Sequence, residues 1–304
     1  MQTRFRTPHF QFALLASLVI SGERLAEAQQ SVIHAAATEV ALQQSAMNGW
    51  QLAASDNFVI HHRGEFGREE IERLARHLEA RRRTIGSTWL GSDFVSKWSS
   101  ACEVYLHRSD GQYEHHSRMP AETIGYARLK VGRGKVWSRR LDLRWHSEDE
   151  RTLEVASHEL THIVLADRFC WRQIPRWADE GIAVGAEKGD RRDRLNQVLH
   201  EATESGRLFS VYELLSARGY PNDRGLADLF YAQSAALVSY LVEAHDYEVV
   251  LQLADAISEH GVEAGVRSLP AMRDARDLET RWRAWMQRPK QAESAIMVEN
   301  AARK

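Results

Sequence analysis

One run restricts this chain more than any other: Glu154-Val155-Ala156-Ser157-His158-Glu159-Leu160-Thr161-His162-Ile163-Val164-Leu165-Ala166. As a helix it sets His158 and His162 four residues apart, so both rings project from one face, one turn above the other. That spacing lets two imidazole nitrogens meet one tetrahedral zinc. Glu159 follows His158 directly and points beside the metal, where a carboxylate is suited to hold and deprotonate a zinc-bound water. The same five-residue pattern arises by chance on amphipathic helices, so the residues that follow decide how it is read.

A short polar segment, Asp167-Arg168-Phe169-Cys170-Trp171-Arg172-Gln173, leads to Ile174-Pro175 and then Arg176-Trp177-Ala178-Asp179-Glu180-Gly181-Ile182-Ala183. Pro175 suits the first turn of a new helix. Packed against the first helix, this second one brings Glu180 to the metal as a third ligand. Two histidines and one glutamate leave the fourth position to water, the catalytic rather than the structural pattern of zinc coordination.

His158 to His162, followed by Trp177-x-x-Glu180-Gly181, resembles the gluzincin metallopeptidases. The match is closest to their peptidase MA-like branch, where Pro-x-Trp-x-x-Glu-Gly follows the first motif. The resemblance implies one zinc per chain and hydrolysis of a peptide or protein substrate. Glu159 would take a proton from the attacking water and return it to the departing amine. Tyr231, standing before Gln233 and Ser234 as a tyrosine often does in this branch, would be the hydrogen-bond donor to the oxyanion. A packed core tyrosine is the plainer reading of the same residue. The resemblance also lets the strand around Gly125 to Ala127 pair with substrate. The metzincin pattern fails, because Leu165 and Arg168 stand where it needs glycine and histidine. Asp179 is an alternative third ligand, but neighbouring helical positions diverge by about 100°, so one of the two faces the metal and Glu180 is favoured. Thermolysin-like members place an aspartate four residues after the glutamate ligand; here that position is Val184, which leaves Asp179, Asp167 or a backbone carbonyl to orient the histidines. No Gly-x-Met-Glu-Asn segment supports exopeptidase action. Two other readings keep the metal: an inactive cell-envelope module, or an amidase acting on a non-peptide or cell-wall bond.

The composition, 43% apolar and 27% charged, is that of a globular chain with ample core material, and a net charge of -2 gives no electrostatic case for nucleic acid or anionic membrane. Arg4 and Arg6, an apolar run from Phe12 to Ile20 too short to span a bilayer, and Leu25-Ala26-Glu27-Ala28 read as a secretory signal over 1–28. That predicts a secreted or periplasmic protein with no membrane span once the signal is removed. Cys102 and Cys170 allow at most one intramolecular bridge, and nothing in the sequence places them together.

Residues 29–54 read as a linker and 55–287 as the catalytic domain, with a sheet-bearing half (55–166) and a helical half (167–287). A disordered tail is expected over 288–304. Strand patterns near 57–62, 101–107, 124–128, 135–137 and 140–144 precede the motif helix, and Arg108 to Met119 reads as a loop. Helical patterns fill the remainder, so the fold class is α+β. His61-His62, His107 and His115-His116 are assigned to surface positions, since adjacent strand residues point to opposite faces.

Overall fold

The computed structural model describes residues 43–47, 49–91, 94, 97–120, 122–145, 150–187 and 189–288. The leader expected over 1–28, residues 29–42 and the tail from 289 lie outside them. The fold is α+β. Its strands are β1 (Gln43–Met47), β2 (Trp50–Ala54), β3 (Phe58–His62), β4 (Cys102–His107), β5 (Gly125–Gly132) and β6 (Lys135–Arg144). They form one mixed sheet in the order β1-β2-β3-β4-β6-β5. The three central strands β3, β4 and β6 are parallel, and β5 returns antiparallel to β6 at the edge. The helices are α1 (Arg68–Leu90), α2 (Asp110–Ser117), α3 (Glu150–Leu165), α4 (Arg176–Gly185), α5 (Asp190–Glu204), α6 (Val211–Ser216), α7 (Arg224–Ala244), α8 (Tyr247–His260), α9 (Val262–Arg267) and α10 (Ala275–Met286).

Alternation along the strands puts Phe58, Ile60, Cys102, Val104, Leu106, Leu141 and Leu143 on one sheet face. They pack on Ile71, Leu74 and Leu78 of α1 and on Ala156, Leu160, Ile163 and Val164 of α3. The second core belongs to the helices, with Trp177 and Ile182 of α4, Leu237 and Leu241 of α7 and Trp282 of α10 buried together. α7 is long and apolar enough to cross a bilayer, yet here it is the spine of that second core. The motif helix gives Ala156, Leu160, Ile163 and Val164 to the first core and only its last residue, Leu165, to the second, where α4 lies, so the two helices meet along a seam.

Several expectations are corrected. The linker assigned to 29–54 ends in two strands, with Met47 paired to Trp50 and β2 paired to β3. Asn-Gly is a strong hairpin signal, but the Ala- and Gln-rich flanks carry little β propensity, and backbone pairing supplies the order instead. The loop expected at Arg108–Met119 contains α2, whose first turn is capped by the Ser109 side chain. His61, His62 and His107 are buried, not at the surface. On the sheet face away from α1, His107 Nε2 lies 3.1 Å from Asp142, and Arg140 bonds both oxygens of that carboxylate at 2.7 Å. Trp50 meets His61, Tyr105 and His107 edge-on. Partners of this kind let polar rings leave water. Cys102 and Cys170 are both free and buried.

Gly181 sets how closely α4 and α7 approach. A Cβ there would sit 2.5 Å from the Ser234 carbonyl oxygen and 2.7 Å from Val238 Cγ2. Gly181→Ala should destabilise the fold by about 1–3 kcal/mol through overpacking. Urea unfolding checks this, and an unchanged midpoint would contradict the close packing.

Candidate metal centre

The motif helix α3 carries polar side chains on a buried face, and it does so by folding them back on itself. Ser157 Oγ donates to the Leu153 carbonyl and Thr161 Oγ1 to the Ser157 carbonyl, each at 2.9 Å. His158 and His162 stand one turn apart on the same helix, with their Nε2 atoms 3.2 Å apart. Glu180, brought in by α4, places Oε2 3.4 Å from His158 Nε2 and 3.9 Å from His162 Nε2. Among the described residues this is the one group of three or more such side chains with metal-holding geometry.

The donor set fits zinc. With metal–nitrogen bonds of about 2.0–2.1 Å and tetrahedral angles, ligand atoms stand roughly 3.3 Å apart, close to the observed 3.2, 3.4 and 3.9 Å. The ring nitrogens on the far sides agree. His162 Nδ1 lies 2.6 Å from Asp179 Oδ1, and His158 Nδ1 lies 2.5 Å from Glu187 Oε1. An ionised carboxylate only accepts, so each Nδ1 is the donor. That tautomer leaves Nε2 as the atom offered to a metal.

Asp179 therefore faces a histidine and not the point where the three donor atoms converge. Asp167 is engaged elsewhere, accepting from Trp98 Nε1 at 2.7 Å and pairing with Arg139. Val184 is buried in a small cluster with Leu195 and Ala232. Glu187 was not anticipated. It lies just past the end of α4, where helical spacing from Glu180 no longer applies, so no periodic signal marks it. Arg191, at the start of α5, pairs with Glu187 and rests 5.4 Å from the Tyr231 ring centre.

Tyr220 was also not anticipated. It lies in the connection between α6 and α7, and its hydroxyl donates to Glu180 Oε1 at 2.5 Å. Arg176 Nη1 donates to that same hydroxyl at 3.2 Å. Glu180 is thus held by its outer oxygen while the inner one faces the imidazoles.

Glu159 turns away from this cluster toward the edge strand, where its Oε2 accepts the Ala127 backbone N–H at 2.9 Å. Gly125 makes the approach possible, since a Cβ there would come within 2.5 Å of Val155 Cγ1. Tyr231, half-buried on α7, has its ring 5.9 Å from that of Tyr220. Burial and the nearby carboxylates of Glu180 and Glu159 push its hydroxyl up to about 12, so it remains a donor at neutral pH.

The acid–base balance is set by burial working against charge pairing. Burial disfavours a charged His162, but Asp179 and Glu180 outweigh it and push the ring up to about 10. His158 is raised in the same sense, with Glu180 and Glu187 overcoming burial. Burial alone would raise Glu180, yet His162 and His158 hold it at about 2.

Residues 149–288 match the family model described as Peptidase MA superfamily, consistent with the gluzincin-like peptidase MA branch. The matched stretch contains the motif helix, α4 and every later helix among the described residues. It supports a peptidase or hydrolase of metallopeptidase-like function. No curated protein matches the chain.

A ring held at about 10 carries its proton at pH 7, so a metal has to displace that proton to reach Nε2. Zinc binding at pH 7 should release protons, and affinity should fall about tenfold for each pH unit of acidification per proton displaced. Calorimetry in buffers of differing ionisation heat measures this directly; a heat independent of buffer would contradict it. Asp179→Asn and Glu187→Gln should each weaken zinc roughly 10- to 100-fold in chelator competition.

Proposed function

We propose that this chain, whose residues 149–288 match the Peptidase MA superfamily, is a zinc-dependent metallopeptidase that hydrolyses peptide bonds with Glu159 as general base. The observation that carries the reading is the convergence of His158 Nε2, His162 Nε2 and Glu180 Oε2 from two helices, with Glu159, next to His158 in the chain, held on the edge strand by the Ala127 N–H.

In this reading His158, His162 and Glu180 hold the metal, which supplies Lewis acidity, making water a nucleophile near neutral pH and drawing charge from a carbonyl oxygen. Asp179 and Glu187 orient the two rings, and the Tyr220 hydroxyl fixes the rotation of Glu180. Glu159 is held by one oxygen, on Ala127, which leaves the other to accept a proton from water and pass it to the departing amine. Tyr231, protonated and lodged between Tyr220 and Arg191, donates to the oxygen on which charge develops. The substrate is an extended peptide laid along β5. That strand pairs on one side with β6 and is an edge of the sheet on the other, where Glu159 takes the Ala127 N–H and the remaining outward backbone groups face a further strand.

Glu159→Gln should keep one zinc per chain and lose turnover, as read by metal analysis beside cleavage of a peptide pool. Residual turnover close to the parent would remove Glu159 from the role of base. Glu180→Ala should lose or strongly weaken the metal. Tyr231→Phe should lower kcat by about a hundredfold or more with zinc content unchanged; an unaltered kcat would return Tyr231 to simple packing.

A further inference from the structure

Among the described residues the two most exposed large apolar side chains are Trp171, at 77%, and Trp137, at 59%. They come from different parts of the chain and meet at one place. Trp137 stands just after the β5–β6 turn, and Trp171 lies in the connection between α3 and α4. A Cβ on Gly134, in that turn, would fall 2.0 Å from Trp171 Cζ2. The second indole therefore rests directly on the hairpin tip. Val131, half exposed, adds a branched aliphatic side chain to the same tip.

The tip is built to keep its shape. Gly132 pairs with Lys135 across Arg133-Gly134, and both turn residues have positive φ, at 50° and 69°. That is the tight two-residue turn matching strand twist, and glycine is needed where the indole covers it. Trp137 Nε1 donates to the Gly132 carbonyl at 2.9 Å. Its ring can leave water without stranding a donor.

Charge at the tip runs against the charge of the whole. The chain carries -2 overall, yet from Lys130 to Arg140 it has five cations and no acid (Lys130, Arg133, Lys135, Arg139 and Arg140). Arg139 and Arg140 are paired with Asp167 and Asp142. Lys130, Arg133 and Lys135 have no acidic partner among the described residues, and all three are exposed.

We infer that the β5–β6 tip with Trp171 is a docking surface for a lipid bilayer bearing anionic headgroups. Indoles settle at the boundary between headgroups and acyl chains, where their apolar rings leave water. Unpaired lysine and arginine beside them are drawn to anionic lipid. A nucleic acid or glycan would use the rings as stacking faces. Val131 offers neither a stacking face nor a hydrogen bond, and it suits a surface that takes up aliphatic carbon. Ala127 lies four residues before Val131 on the same strand, roughly 13 Å away. On the proposed function, docking therefore brings the substrate edge of β5 beside the membrane and favours substrate segments that emerge from it.

The test is co-sedimentation of the full chain with phosphatidylcholine vesicles, with and without phosphatidylglycerol, across a salt series. Binding is expected only with the anionic lipid and should weaken as salt rises. The double variant Trp137→Ala/Trp171→Ala, and separately the charge reversal Arg133→Glu/Lys135→Glu in and beside the turn, should each lose binding about tenfold or more. Zinc content and cleavage of a short soluble peptide should stay at parent levels in both, which separates docking from chemistry. Brominated lipid should also quench the tryptophan fluorescence of the parent and not that of the double variant. Failure of the parent to bind anionic vesicles, equal binding by the variants, or capture by a soluble anionic polysaccharide or nucleic acid in place of vesicles would each overturn the inference.

Discussion

The arrangement of this protein depends on one electrostatic requirement: two imidazoles and three carboxylates are taken out of water at the seam between two hydrophobic cores. His158, Asp179, Glu180 and Glu187 are all buried and His162 nearly so. Charges in such a place persist only when each has a partner at hydrogen-bonding distance. The pairing here is complete in a specific sense. Every ring has a carboxylate on its Nδ1 side, and Glu180 answers both rings with one oxygen and a tyrosine hydroxyl with the other. The helices cannot slide past one another without breaking several of these contacts at once.

Packing enforces the same registry from outside. α3 is pinned by sheet residues and α1, whereas α4 is pinned by Trp177 and Ile182 in the helical core and by the near approach of Gly181 to α7. Strand β5 completes the site from a third direction, reaching Glu159 through a main-chain amide. Groups dispersed from the Ala127 amide to the Tyr231 side chain are thereby held by elements whose apolar faces, not their polar ones, determine position.

What could be read from sequence followed from local periodicity. The helix around His158 to His162, the following helix after Pro175 and the inward direction of Glu180 all depend on residues three or four apart, and the sequence displays those directly. Angular separation allowed only one of Glu180 and Asp179 to face a metal, the Trp177-x-x-Glu180-Gly181 resemblance favoured Glu180, and the geometry adds what periodicity could not: Asp179 is engaged by His162 Nδ1. Glu187 and Tyr220 were invisible because they reach the site from irregular backbone, where spacing carries no directional information. The β1–β2 hairpin was concealed by its Ala- and Gln-rich composition, and the buried histidines by an alternation rule that knows nothing of α2 and Trp50 covering the second sheet face. The overall charge likewise concealed the hairpin tip, because a sum over the chain erases a local excess.

That the three converging donors are shared between the cores has a mechanical consequence. An ion held by His158 and His162 on one side and Glu180 on the other would act as a rivet across the seam, so that its binding free energy would become cohesion between the sheet-bearing and helical halves. Occupancy and rigidity would then be a single property: a change deep in either core that let α4 drift would be felt first as a looser ion, and stripping the ion would be felt as a softer boundary between the halves.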